Sequence, residues 1–78
     1  MSNINLWNAE LKKEYTVENI LLENQISRRL EALGINEGTP ILVLNRKKSG
    51  AMIVKIRGTR LALGKHITSN IEIKEAAR

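Results

Sequence analysis

Few side chains in this 78-residue sequence are of the types that perform covalent or metal chemistry. There is one histidine, His66, and the chain contains no cysteine and no aspartate. The lack of cysteine excludes disulfides and thiolate metal sites and fits a reducing compartment. A catalytic triad would need a glutamate variant, for which no serine motif is present. No glycine-rich phosphate loop occurs either. We therefore predict that the protein is not an enzyme.

A metal site would have to combine His66 with glutamates from distant segments. Most glutamates fall between residues 10 and 37, without the close histidine–glutamate spacing that metal sites use. We expect neither a resident metal nor a cofactor, and we interpret His66 as a surface residue in a turn. Transition metal ion binding by His66 with glutamates, as in a metal-sensing module, is kept as an alternative.

Charge is divided unevenly along the chain. Residues 1–37 carry six glutamates and four Lys or Arg, a net charge of −2, whereas residues 38–78 carry two glutamates and nine Lys or Arg, a net charge of +7. No acid occurs between Glu37 and Glu72. This asymmetry favours an anionic partner, such as nucleic acid, an acidic protein face or a membrane surface. The competing interpretation is an ordinary solvated exterior.

The basic half contains six side chains that could share one positive patch. Three lie in a polar turn and three on neighbouring predicted strands, which an antiparallel hairpin would bring to one face. Nucleic-acid-binding barrels usually add aromatic side chains for base stacking, and residues 38–78 have none apart from His66. We therefore predict a protein-docking patch, with phosphate-only binding of nucleic acid as the alternative. The patch residues are Arg46, Lys47, Lys48, Lys55, Arg57 and Arg60.

The elements that would position this patch begin with a helix and the turn that ends it. Apolar residues at i, i+4 and i+7 predict a short helix after an N-cap at Asn24. Gly34 follows the last apolar position, where a left-handed residue commonly closes a helix. With Leu33 as C-cap, Ile35 would contact the residue five positions before it, as in a Schellman ending. Gly38 is predicted as a second positive-φ position.

Five short strands surround this helix in the predicted architecture. The first spans about residues 15–22, with a bulge near Glu18 and Asn19. The others follow at 41–44, 51–57, 60–63 and 70–74, with a turn at Gly58-Thr59 and a 3₁₀-type turn within 64–69. Such a small aliphatic sheet most readily curls into a barrel. We predict a mainly β fold, a five-stranded barrel over residues 14–75 with the helix between strands one and two.

Residues 1–13 are predicted to be an N-terminal extension. Ile4, Trp7 and Leu11 have the i, i+3, i+7 spacing of a short helix, which would need a surface to pack on. That helix could cover an open end of the barrel. Trp7 could instead anchor a partner, since Trp is enriched at interface hot spots, and we include it among the candidate partner-binding residues.

An ordered series of short motifs resembles the FeoA family over about residues 14–74. These are small cytoplasmic proteins associated with bacterial ferrous iron uptake. The resemblance implies an SH3-like barrel, in agreement with the predicted strands. The matching residues are Arg29-Leu30, Leu33-Gly34-Ile35, Gly38-Thr39, Ile41, Val43, Lys48-Ser49-Gly50, Val54, Ile56, Gly58, Leu61-Ala62-Leu63-Gly64 and Ile71-Glu72-Ile73.

The resemblance implies an accessory role. The family is thought to dock on the cytoplasmic side of the FeoB ferrous iron transporter, and its members have no agreed active site. Glu37 replaces a frequent proline, and Gly64 a frequent arginine. The same barrel occurs in metal-dependent repressors, but no winged-helix portion is present here. We thus expect a cytoplasmic, non-enzymatic adapter without membrane insertion.

Overall fold

One six-stranded antiparallel sheet, in the order β1-β6-β2-β3-β4-β5, forms the fold of this computed structural model, which describes residues 4–76. A 3₁₀ turn, Leu6–Asn8, and two helices, α1 (Asn24–Ala32) and α2 (Lys65–Thr68), connect the strands. The strands are β1 (Ile4–Asn5), β2 (Glu14–Ile20), β3 (Pro40–Arg46), β4 (Ala51–Ile56), β5 (Thr59–Gly64) and β6 (Ile71–Glu75).

The sheet curls around an aliphatic core, and its strands alternate between buried and outward side chains. In β4, for example, Met52, Val54 and Ile56 are buried, whereas Lys55 is exposed. Tyr15 is the one buried aromatic residue in the described core. The predicted fold class, a small, mainly β, SH3-like barrel with a helix between its first two long strands, is confirmed.

The prediction of an N-terminal helix is wrong for the described part of residues 1–13. A short strand, β1, lies there instead, so the sheet has six strands rather than the predicted five. Ile4 pairs with Ile73 of β6, and one 3₁₀ turn follows. A helix this short is marginal alone, whereas pairing satisfies the backbone at the edge of β6. Leu6 and Ala9 are buried in the barrel core. Residues 1–3 lie outside the described residues, and the domain boundary after residue 13 stays a prediction.

The helix ending follows the predicted chemistry. The N–H of Ile35 donates to the Leu30 carbonyl at 2.8 Å, and the N–H of Gly34 donates to the Glu31 carbonyl at 2.9 Å. This is the Schellman pair of hydrogen bonds, and it requires the positive φ of +92° at Gly34. Leu30 and Ile35 are both buried. Gly38 has a φ of +91°, so both predicted positive-φ positions are confirmed.

Smaller features of the strands and turns divide between confirmation and correction. The β2 register shifts between Val17 and Asn19, which confirms the predicted bulge. The helix N-cap is Glu23 rather than Asn24, and no side chain caps it. The tight turn after β4 consists of Arg57 and Gly58 rather than residues 58–59, and α2 is an α-helical turn rather than 3₁₀.

Candidate protein-docking face

The outward side of β3, β4 and β5 carries cations and aliphatic side chains together. Leu42 pairs with Lys55, and Lys55 pairs with Arg60, so these three side chains form one row across the sheet. A second row joins Ile53 to Ala62. Alternation places both rows on the outer surface, because β4 and β5 turn their other side chains into the core. We name this surface, with the side chain of Leu44, the outer basic face.

Two shallow grooves run along the outer basic face. The first has a volume of about 480 Å³ and is lined by Leu42, Lys55 and Arg57, among others. The second, of about 530 Å³, lies where the loop before β2 meets the sheet; Leu11, Lys12, Leu44, Asn45, Lys47, Ile53 and Arg60 line it. Both grooves are lined by apolar and cationic side chains together, an arrangement that suits a partner segment carrying aliphatic and acidic side chains.

The cations of the outer basic face have no carboxylate partners within the described structure. The ion pairs found among residues 4–76 join Lys13 to Glu75 at 2.8 Å and Lys74 to Glu18 at 3.7 Å. The first joins the residue before β2 to β6, and the second joins β6 to β2. Glu14 is the one acid that lines either groove. The positive potential of this face is therefore left for solvent, ions or a partner.

Trp7 and Arg46 are engaged with each other away from the outer basic face. The Arg46 guanidinium lies 5.5 Å from the centre of the Trp7 ring and donates a hydrogen bond to the carbonyl of Ala9. The Lys65 ammonium lies 5.4 Å from the same ring. Trp7 is half-buried and packs against the core. These contacts attach the N-terminal segment to β3 and α2, so both side chains have a structural role within the chain.

The six predicted patch residues thus divide into three groups. Lys55 and Arg60 lie together on the outer basic face, and Arg57 and Lys47 line its first and second grooves. Lys48 is exposed in the turn between β3 and β4 and lines neither groove. Arg46 belongs to β3, not to the loop, and contacts Trp7. The role of these six residues and of Trp7 in partner binding stays a prediction.

Arg57 also links the outer basic face to the end of α1. Its φ of +52° and the φ of +84° at Gly58 form a two-residue hairpin turn of type I′. A Cβ atom at Gly34 would lie 3.3 Å from Arg57 Cδ and from Arg57 Nε. The arginine side chain therefore crosses the helix end, and glycine at position 34 serves both the left-handed backbone and this close approach.

The aliphatic side chains of the face were not among the candidate residues predicted from the sequence. Leu42, Leu44 and Ile53 are half-buried, and Leu11 is 43% exposed. A signal was available in β3, where Ile41 to Leu44 is apolar at four consecutive positions although only alternate ones can enter the core. Outward aliphatic residues flanked by lysines indicate a surface that a partner could cover.

Lys13, the residue before β2, contacts Glu75 of β6 on another side of the barrel. The hydrogen bond that Lys13 donates to the Glu75 carboxylate raises the pKa of the lysine above its ordinary value of 10.5. The charge of Glu10 contributes in the same direction. This pair ties the C-terminal strand to the sheet.

His66 lies exposed in α2, where its carbonyl accepts a hydrogen bond from Asn70 Nδ2 at 2.8 Å. Within residues 4–76, no three side chains of His, Cys, Asp or Glu come together as a potential metal site. None of the helices described here has the length and apolar character needed to cross a bilayer. The outer basic face therefore remains the main candidate site.

Comparison with known proteins identifies a family. The FeoA domain model matches residues 4–75. The NMR structure of an FeoA-like protein from Clostridium acetobutylicum is 25% identical, with a TM-score of 0.83, and the alignment covers 100% of this chain and 93% of that one. The FeoA protein from Chlorobium tepidum is 23% identical, with a TM-score of 0.87 and coverage of 95% and 71%.

The fold is shared more widely than the family. A manganese-dependent transcriptional repressor in complex with manganese has a TM-score of 0.89 at 23% identity. The alignment covers 97% of this chain but 38% of the repressor, so the likeness concerns the fold of one part of that protein. No protein with curated annotation matches the chain.

Proposed function

This chain belongs to the FeoA domain family, and from that premise we propose that it is a non-enzymatic accessory protein of ferrous iron uptake. It works in the cytoplasm and docks on the cytosolic domain of the FeoB ferrous iron transporter. The docking surface is the outer basic face. Regulation of the transporter then comes from occupancy of its cytosolic domain rather than from chemistry on the accessory protein.

The observation that carries this proposal is the pairing of free cations with outward aliphatic residues. Lys55 and Arg60 have no carboxylate within ion-pairing distance among the described residues. Beside them, Leu42 and Ile53 are only half-buried, although they are large and aliphatic. A protein interface uses both components, since apolar contacts supply affinity while charges fix orientation and speed association.

Binding of nucleic acid through phosphates would use the same cations and is the competing function. It would not need Leu42, Leu44 or Ile53, because phosphate contacts depend on charge. Substitutions that remove apolar area without changing charge therefore separate the two functions. Leu44→Ser and Ile53→Thr are suitable, since neither side chain is buried in the core.

The test measures binding of the purified protein to the purified cytosolic domain of the transporter by calorimetry, and ferrous iron uptake in cells. We expect Lys55→Glu with Arg60→Glu to weaken binding by about tenfold or more, because the new carboxylates would face acidic groups of the partner and be repelled by them. Arg28→Glu combined with Arg29→Glu, on the exposed side of α1, is the matched control and should bind normally.

Leu44→Ser with Ile53→Thr should weaken transporter binding and leave any retention of nucleic acid at low salt unchanged. The proposal is contradicted if the wild-type protein does not bind the cytosolic domain and if cells that lack this protein take up ferrous iron normally. Salt-sensitive nucleic acid binding that is lost in the charge-reversed protein and kept in the apolar variants would assign the face to the competing function.

A further inference from the structure

The edge strand β5 leaves backbone groups open to a partner. Within residues 4–76 it pairs with β4 alone and ends the order of the sheet. Because the turn at Arg57 and Gly58 is a two-residue type I′ hairpin, Ile56 and Thr59 form a hydrogen-bonded pair. Alternation then directs the N–H and C=O groups of Arg60 and Ala62 away from β4. No backbone hydrogen bond outside the strand ladder reaches either residue within residues 4–76.

We propose that this edge of β5 receives an extended segment of a partner protein by β-strand addition, and that the segment alternates acidic and aliphatic side chains on its outer face. The inference deepens the proposed function, on which it rests for the identity of the partner, by specifying how a segment of that partner is held. Strand addition supplies main-chain hydrogen bonds, and the neighbouring side chains supply selectivity.

The charge and size of the β5 side chains determine which segment the edge would bind. A residue added beside Arg60 would extend the row that contains Lys55, and a carboxylate there would pair with Arg60 and be attracted by Lys55 one strand further away. A residue added beside Ala62 would extend the row that contains Ile53. Ala62 is small and exposed, so a long aliphatic side chain at that position can lie across it toward Ile53. The preferred outer-face pair is therefore an acid beside Arg60 and an aliphatic residue beside Ala62, two positions apart.

A second copy of this chain fits the edge poorly. Antiparallel pairing of two β5 strands about Ala62 would set each Arg60 opposite the other copy's Gly64, next to Lys65. No acid lies between Glu37 and Glu72 to compensate these cations. A second β5 strand would therefore bring no carboxylate to Arg60 and would add positive charge at this edge, whereas an acidic strand would pair with Arg60.

The test uses a blocked eight-residue peptide with valine at the inner-face positions and glutamate and isoleucine alternating at the outer-face positions. Binding to the full-length protein is measured by calorimetry and by NMR. Peptides N-methylated at the amides that face β5 should lose binding by about tenfold or more, whereas N-methylation of the amides on the opposite edge should have little effect. Arg60→Glu should weaken binding about fivefold, in a salt-dependent manner.

The N-methyl pair keeps the protein unchanged, so misfolding cannot explain the result. No binding at millimolar peptide, equal binding of both N-methylated peptides, or dimerisation of the protein through β5 at the same concentrations would overturn the inference. The result is independent of the transporter. Peptide binding without transporter binding contradicts the proposed partner alone, and transporter binding that tolerates Ala62→Pro in a folded protein contradicts the strand addition alone.

Discussion

Replacing Arg46 tests whether this side chain holds the N-terminal segment or serves a partner. Arg46→Met removes the cation over Trp7 and the hydrogen bond to the Ala9 carbonyl, and it keeps much of the aliphatic stem. The cation–π contact is worth about 0.5–1 kcal/mol at an exposed site. The hydrogen bond from a charged donor is worth about 1.5 kcal/mol at the lower end of its range, which suits an exposed arginine. We therefore expect Arg46→Met to lower the free energy of unfolding by about 2 kcal/mol.

Lys65→Met is the matched comparison, because it removes one cation over the same ring, and the Lys65 ammonium donates no hydrogen bond to residues 4–76. We expect it to cost about 0.5–1 kcal/mol. The assay is urea unfolding followed by the fluorescence of Trp7, the single tryptophan. With a denaturant slope of about 1 kcal/mol per molar urea, the Arg46 variant should shift the midpoint by about 2 M. Equal midpoints for wild type and both variants would refute the structural role assigned to Trp7 and Arg46.

Two further predictions concern the helix end and the alkaline limit of stability. Gly34→Ala and Gly38→Ala place alanine at nearly the same φ, +92° and +91°, and should each cost about 1–3 kcal/mol by calorimetry. Gly34→Ala should lose up to about 1 kcal/mol more unfolding free energy than Gly38→Ala, because the new Cβ meets the Arg57 side chain. Combining Gly34→Ala with Arg57→Ala should remove that excess. Equal costs of the two glycine substitutions, with and without Arg57→Ala, would contradict the contact. The hydrogen bond to Glu75 raises the pKa of Lys13 in the folded protein. The stability that this pair contributes is therefore complete below pH 10.5, the ordinary pKa of lysine, and is lost as the pH rises through the raised pKa. The melting-temperature difference between wild type and Glu75→Gln should vanish in that range, and a difference that persists would contradict the pair.

The local parts of the fold could be predicted because neighbouring residues decide them. The helix end is an example, since the left-handed glycine at position 34 and the apolar pair Leu30 and Ile35 lie within six positions. The pairing of Ile4 with Ile73 could not be predicted, because it depends on the free edge of a strand at the other end of the chain. A helical spacing near Trp7 was overridden by that edge.

The candidate site was likewise predictable only in part. Charge along the sequence identified the cations, but their division between the outer basic face and the Trp7 contact depends on where β3 ends. Arg46 turns toward the N-terminal segment, whereas Lys55 and Arg60 meet across a ladder. Register between strands determines such neighbours, and a one-residue shift would move each side chain to the opposite face.

The most direct measurement of the docking hypothesis is an NMR titration of the isotopically labelled protein with the unlabelled cytosolic domain of the transporter. Our account predicts that amide signals shift first along the outer basic face and the β5 edge, at Lys55, Arg60 and Ala62, and that signals of α1 remain in place. Shifts confined to α1, or to the segment around Trp7, would contradict the assignment of the docking surface. An unchanged spectrum would contradict docking itself.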